Sequence, residues 1–521
     1  AGILFVGLFP RAAVAAVTRA ADFFLRTPAD AADWLLSPSL AAAGRTAWLL
    51  AAVVALTGAA PVLARKKAPT RRQQAKKECC ATDSTRVRHP EWLKNAVIYE
   101  VNLRQGTPER NLAGLRAQLT RLRDLGVDIL WLMPIHPISK EQRKGTMGSY
   151  YAVQDYLQVN PEFGTVRDLQ DMVRDAHALG MKVILDEVCN HTGADNVWIK
   201  NHPEFFARNE KGEMYGPYDW TDVCQLDYSR SGTRKAMKEA LLYWVKEADI
   251  DGYRCDVAGM VPTDFWEDVR PALDAIKPVF MLAEASKPEL TRKAFDADYN
   301  WPMKDVFNAI AATQGVNHYA AYKQMKLPRR NALSIDTLLA RQQCEYPKGA
   351  FNMNMITNHD LNSWEGTEFD RLGPATGAFA VLSYTLPGLP MLYTGQEVGF
   401  NHPFEFFELD SVQPDYRANE VTTFYEVLNS LRHNNKALWT DSRMAPMKRF
   451  ATTDPDVYVF SRERDGQRVL VAVNLSAKEG RVEFTGDAPG QDALINIFNA
   501  TPETLPDLLR PWEYRVLTTP F

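Results

Sequence analysis

Between Trp92 and Leu438 the chain alternates short apolar, β-branched runs with amphipathic stretches of helical period, and it does so eight times. No other feature constrains the fold as tightly. Strands separated by helix-length crossovers pair in parallel and need cover on both faces. The strand candidates are 96–101, 127–133, 182–188, 252–257, 279–283, 295–299, 352–357 and 390–395, with helix patterns at 111–125, 165–179, 231–248 and 263–276. Eight such units, with no glycine-rich phosphate loop after the first strand, predict a closed (β/α)8 TIM barrel over residues 91–438 and not an open doubly wound sheet.

Two segments depart from this rhythm. The connection from the third strand to the helix at Ser231 is long and holds Trp198 and Trp220, which predicts a short excursion over the barrel mouth at 192–230. Beyond Leu438 the period becomes two: DVYVFSRERDGQRVLVAVNLS alternates around an Asp465-Gly466 turn, so 439–521 is expected to form an antiparallel β-sandwich.

Residues 1–90 are a leader of different composition. They carry 13 Lys/Arg against 5 Asp/Glu, so the net charge of −4 hides a basic appendage on an acidic body. Neither part advertises nucleic-acid binding. The charge-free run TAWLLAAVVALTGAAPVLA at 46–64 approaches the length of a bilayer span, and seven basic residues follow it at 65–77. A signal, an anchor or a disordered linker is the expected role, with any membrane contact confined to 1–64 and an extracytoplasmic location favoured. Six cysteines are too few for a disulfide scaffold. Adjacent Cys79 and Cys80 lack the spacing of a metal site, and Cys189 and Cys255 are expected as buried thiols.

Barrel enzymes carry their chemistry at the carboxyl ends of strands, where a buried strand tolerates polar groups only for a reason. Four strands supply them: Asp186, Asn190 and His191 in ILDEVCNH, Arg254 and Asp256 in DGYRCDVAG, Glu284 in MLAEAS, and Asn358, His359 and Asp360 in ITNHD. Alternation along a strand points Arg254 and Asp256 the same way, and the guanidinium is expected to keep Asp256 ionised. Three carboxylates and two histidines at one mouth suit glycoside hydrolysis, which needs an ionised nucleophile, a protonated acid and negative charge facing an oxocarbenium-like transition state. Phosphoryl transfer lacks its phosphate cradle here. Asp186, His191, Asp256 and His359 also offer a metal-ligand set, but no His-x-His follows the first strand.

These segments, in this order, resemble the four signatures of the α-amylase superfamily of glycoside hydrolases, and MGSYYAVQDY resembles its segment with the sugar-stacking tyrosine. The resemblance implies Asp256 as nucleophile, Glu284 as acid/base and Asp360 as transition-state carboxylate. It further implies that Arg254 orients Asp256, that His191 and His359 bind sugar hydroxyls, that Tyr151 is the stacking platform with Asp155 behind it, and that Asp186 and Asn190 brace the third strand. Trp220 and Trp364 are expected to anchor the core or a loop, with a further sugar platform as the alternative for each. The implied activity is retaining hydrolysis of α-1,4-glucosidic bonds in starch-like or maltodextrin substrates, with no cofactor for the chemistry. Gly259, Met260 and Gln225 stand where the family often has calcium-supporting residues, which puts a structural calcium in doubt even with Asn190 as a possible ligand. Val257 after the nucleophile hints at an α-1,6-acting relative, which stands as the alternative together with a transglycosylase on the same catalytic residues. A non-catalytic, membrane-anchored transporter heavy chain is the rival from another class, and such chains lose members of the carboxylate set that is complete here.

Overall fold

In the computed structural model, which describes residues 84–316, 330–490 and 492–520, the eight apolar runs pair as parallel strands that close on themselves. They are β1 (Ile98–Val101), β2 (Ile129–Leu132), β3 (Lys182–Glu187), β6 (Gly252–Cys255), β7 (Phe280–Ala283), β8 (Ala297–Tyr299), β9 (Phe351–Asn354) and β10 (Leu389–Tyr393); β4 (His191–Gly193) and β5 (Val223–Gln225) form a separate hairpin in the excursion. The expectations for the leader, including the apolar run at 46–64 and Cys79 and Cys80, lie outside the described residues. Among those described, no helix is long and apolar enough to cross a membrane.

Strand alternation sorts the barrel into two apolar compartments. Ile98, Ile129, Trp131, Ile184, Phe280, Leu282, Phe351 and Met391 fill the interior. Tyr99, Leu130, Val183, Leu185, Tyr253, Cys255, Met281 and Leu392 face the surrounding helices instead. The helices obey the same logic. Helix Leu112–Leu125 is capped by the Asn111 side chain and ended by left-handed Gly126, and it buries Leu115, Leu119 and Leu122. Helix Val166–Ala178 opens with a Thr165/Asp168 capping box. At the start of β6 a Cβ on Gly252 would lie 1.9 Å from the Phe280 carbonyl oxygen, so only glycine lets β6 and β7 approach. Cys189 and Cys255 are free and buried, as expected.

The C-terminal part holds a six-stranded antiparallel sheet and a two-stranded ribbon. The sheet is built from β11 (Met447–Phe450), β12 (Val457–Arg464), β13 (Gln467–Asn474), β15 (Leu494–Asn496), β16 (Pro502–Glu503) and β18 (Tyr514–Thr518); the ribbon is β14 (Gly480–Arg481) with β17 (Leu508–Leu509). Tyr458, Phe460, Val469 and Val471 join the core shared with the barrel helices, whereas Val457, Val459, Leu470 and Ala472 meet Val482 and Leu509 beside the ribbon. The predicted period of two is thus the mark of a sheet covered on both faces.

Candidate active site

The residues of interior parity continue into the mouth as polar groups. After Ile98 comes Glu100, after Ile184 comes Asp186, Gly252 is followed by Arg254 and Asp256, and Leu282 by Glu284. One buried guanidinium ties three of the strands together. Arg254 Nη1 donates to Asp186 Oδ1 at 2.8 Å and to Asp256 Oδ1 at 2.9 Å, and Nε donates to the Tyr299 hydroxyl at 3.1 Å. Nη2 lies 2.9 Å from Glu284 Oε2 as an ion pair without hydrogen-bond alignment. Glu284 Oε2 instead accepts the backbone N–H of Val257 at 2.8 Å. Val257 is a β-branched residue at φ 36°, ψ 43°, a left-handed conformation that commonly costs about 1–3 kcal/mol and is held where function demands it. Its strain turns the N–H next to the nucleophile toward the acid/base candidate.

Burial is the largest influence on the carboxyls of Asp186, Asp256 and Glu284 and pushes each above the ordinary range, with Arg254 opposing it in all three. Asp186 reaches about 7. The positive charge of Arg254 is divided among three carboxyls, so it favours the ionised form of Asp256 but offsets the burial of that carboxyl only in part. Asp360 is more open, its side chain 36 % exposed, and it faces His359 Nε2 at 3.3 Å.

Aromatic side chains wall the site. Tyr151 donates to Asp186 Oδ2 at 3.0 Å, and its ring stacks on Phe406 with centroids 6.3 Å apart and planes 11° apart. Trp131 Nε1 also donates to Asp186 Oδ2, at 3.3 Å, so this carboxyl near the end of the third strand is held by Trp131, Tyr151 and Arg254 together. Trp220 meets the His191 ring edge-on at 5.3 Å, while Trp364 packs on Phe406 at 5.1 Å and is 52 % exposed. Asp155 does not join the site. It accepts the Leu157 backbone N–H at 2.9 Å and thereby shapes the turn after Tyr151.

The excursion holds His191. In the β4–β5 hairpin His191 pairs with Gln225, and its Nε2 lies 3.9 Å from Asp256 Oδ2. Burial takes its imidazole down to about 4, so it faces the nucleophile as a neutral ring. Asn190 Nδ2 donates to His191 Nδ1 at 3.3 Å, and Gln225 Nε2 donates to both the carbonyl and the side-chain oxygen of Asn190 at 3.0 Å. Nearby Asp222 pairs with Lys144 at 3.0 Å. A calcium ion drawing on these oxygens would compete with the Gln225 amide at Asn190 and with the Lys144 ammonium at Asp222 Oδ1. Among the described residues no group of three His, Cys, Asp or Glu side chains could hold a metal.

Sequence reasoning missed Glu100, Trp131, Tyr299 and Phe406. Glu100 carried a usable signal: a carboxylate in the otherwise apolar strand IYEV, the test applied to four other strands but not to the first.

A family model described as the alpha amylase catalytic domain matches residues 97–222 and 204–448. Alpha-amylase 3 of Dictyoglomus thermophilum is 24 % identical over 505 residues, covering 82 % of this chain and 94 % of its own. Among solved structures, an α-amylase from Lactobacillus plantarum superposes with a TM-score of 0.70 at 28 % identity, over 82 % of this chain and 99 % of its own. A maltogenic α-amylase from Thermotoga neapolitana gives 0.68 at 29 %, over 82 % and 97 %.

Proposed function

Because the chain belongs to the α-amylase family of glycoside hydrolases, we propose that it cleaves α-1,4-glucosidic bonds of maltodextrins with retention, using Asp256 as nucleophile and Glu284 as acid/base. The observation that carries this is the Arg254 bridge. A single guanidinium reaches both carboxyls, Nη1 at 2.9 Å from Asp256 Oδ1 and Nη2 at 2.9 Å from Glu284 Oε2, so both can face one glycosidic bond as a retaining pair does. In the first step Asp256 attacks the anomeric carbon while Glu284, its proton retained by burial, donates to the leaving oxygen. In the second, the Glu284 carboxylate takes a proton from water, which hydrolyses the glycosyl-enzyme ester. Asp360, beside His359, faces the positive charge that develops between these states.

The substrate class draws on relatives named α-amylase, maltogenic alpha-amylase and cyclomaltodextrinase. An oligo-1,6-glucosidase is among the similar proteins too, and Val257 beside the nucleophile suits the α-1,6 alternative. A product profile on soluble starch, maltotriose, pullulan and isomaltose tests both: turnover of maltotriose with none of isomaltose is expected. Turnover of isomaltose alone overturns the α-1,4 reading, and no turnover of any of them overturns the enzyme.

A further inference from the structure

Glu100 on β1 is fully buried, lies outside the catalytic steps above, and clamps one histidine. Its Oε2 accepts the His359 backbone N–H at 3.3 Å, and its Oε1 contacts His359 Nδ1. On the far side of the ring, Nε2 lies 2.8 Å from the Tyr151 hydroxyl and 3.3 Å from Asp360 Oδ2.

Counting protons along this chain of contacts identifies the state of the ring. Asp186 Oδ2 accepts from Trp131 Nε1 and from the Tyr151 hydroxyl, so Tyr151 spends its one proton on Asp186. The Tyr151 oxygen must then accept from His359, which requires a hydrogen on Nε2. On the other side, the Glu100 carboxyl, which burial pushes up and His359 and Arg254 pull down, already accepts the backbone N–H and in its ionised form takes a hydrogen from Nδ1 as well. Both ring nitrogens therefore donate.

We propose that Glu100 is a positioning residue that holds His359 as a double N–H donor, one hydrogen on Glu100 and the other on the Tyr151 oxygen, so that the cleavage subsite keeps a fixed positive charge between Tyr151 and Asp360. This rests on the reading of the site as a glycosidase centre. The charged and titratable groups around the ring are Glu100 on β1, Tyr151 after β2, Asp186 on β3, Arg254 and Asp256 at β6, Glu284 after β7, and Asp360 on its own loop; the edge of Trp131 packs at 6.0 Å. Burial and Arg254 work against the charge, but Asp360 and Glu100 outweigh them and lift the imidazole to about 9. An imidazolium also tempers the crowding of carboxyls, whose mutual repulsion otherwise raises them all.

The experiment starts with the wild-type protein, 15N-labelled at histidine, with the His359 signals assigned by their loss in His359→Asn. At pH 7 both ring nitrogens are expected at protonated shifts; a neutral pattern overturns the proposal without any further variant. Glu100→Gln then keeps the shape and removes the charge. His359 is expected to titrate at least two pH units lower. Relative to wild type, kcat/KM on maltotriose should stay within threefold at pH 5.5 and fall at least tenfold by pH 8. Glu100→Asp restores the wild-type pH profile even at a lower absolute rate. A loss by the same factor at every pH in Glu100→Gln marks a merely structural role and refutes the assignment. If wild type turns over no α-glucan, the glycosidase reading fails, while the ring shifts still decide the protonation of His359.

Discussion

Glu284→Gln separates the two carboxyl roles cleanly because the change is nearly isosteric where it matters. The glutamine oxygen can still accept the Val257 N–H now bonded at 2.8 Å, so the strand end and its strained neighbour keep their geometry. What disappears is the transferable proton. General-acid assistance is commonly worth about 10²–10⁴-fold, or about 2.7–5.4 kcal/mol of barrier at 1.36 kcal/mol per factor of ten. On maltotriose, whose sugar leaving group needs protonation, kcat should fall by that factor. With α-glucosyl fluoride the leaving group needs little help, so the first step should recover. A burst of fluoride followed by slow turnover is expected, since the second step still lacks its base. Asp256→Asn removes the attacking oxygen and should lie at background on both substrates. In the wild type the Glu284 carboxyl sits above the ordinary range and the protonated form is the active one. The alkaline limb of kcat/KM should therefore lie above the usual carboxylate region, with activity falling as pH rises through it, and Glu284→Gln should abolish that limb. Proton NMR of fresh product should show the α-anomer first. The β-anomer first, or fluoride rescue of Asp256→Asn but not of Glu284→Gln, would refute the assignment.

Asp296 gives an acid-stability prediction. Burial pushes its carboxyl up, but Arg270 at 2.8 Å and His89 outweigh that and hold it below the usual range. The unfolded chain therefore binds this proton more readily, so the stabilisation is complete above about pH 4 and is lost as pH falls through the folded value. Asp296→Asn, which leaves Arg270 with the Asp274 carboxylate at 2.9 Å as its remaining ion pair, should cost about 1.5–3 kcal/mol at neutral pH and flatten the acid limb of a urea-unfolding series; an unchanged acid limb counts against it. Chelation should move the melting temperature by less than about 2 °C, since Gln225 and Lys144 compete for the Asn190 and Asp222 oxygens; a drop of many degrees restored by calcium alone refutes this. A chain beginning at Ser84 should fold and turn over maltotriose, because it keeps an extended segment that bonds to the barrel, with Ser84 bridging Lys348 and Arg86 N donating to the Arg292 carbonyl. Insoluble protein of that length overturns the boundary.

Much of the barrel was legible because its signals are local. Apolar runs, helix-length crossovers and capping residues such as Asn111 and Thr165 each report on a few neighbouring residues, and strand alternation alone puts Arg254 and Asp256 on one side. Carboxylates at strand ends were conspicuous for a related reason: a buried charge is too costly to keep without use, so Asp186, Asp256 and Glu284 stand out from IYEV-like apolar surroundings before any contact is known.

Only the closed barrel decided how those groups share their charge. Glu100 and His359 lie far apart in the chain and meet because β1 closes against β10, bringing the first strand beside the loop after β9. Asp155, at the spacing that suggested a partner for Tyr151, spends its carboxylate on the next turn instead. Sequence identified which residues carry charge, but the protonation of each depends on burial and on partners from several strands, interactions that decay over a few ångströms and are set by closure. That is why the neutral His191, the cationic His359 and the one guanidinium divided among Asp186, Asp256 and Glu284 belong to the tertiary structure and not to the sequence read along its length.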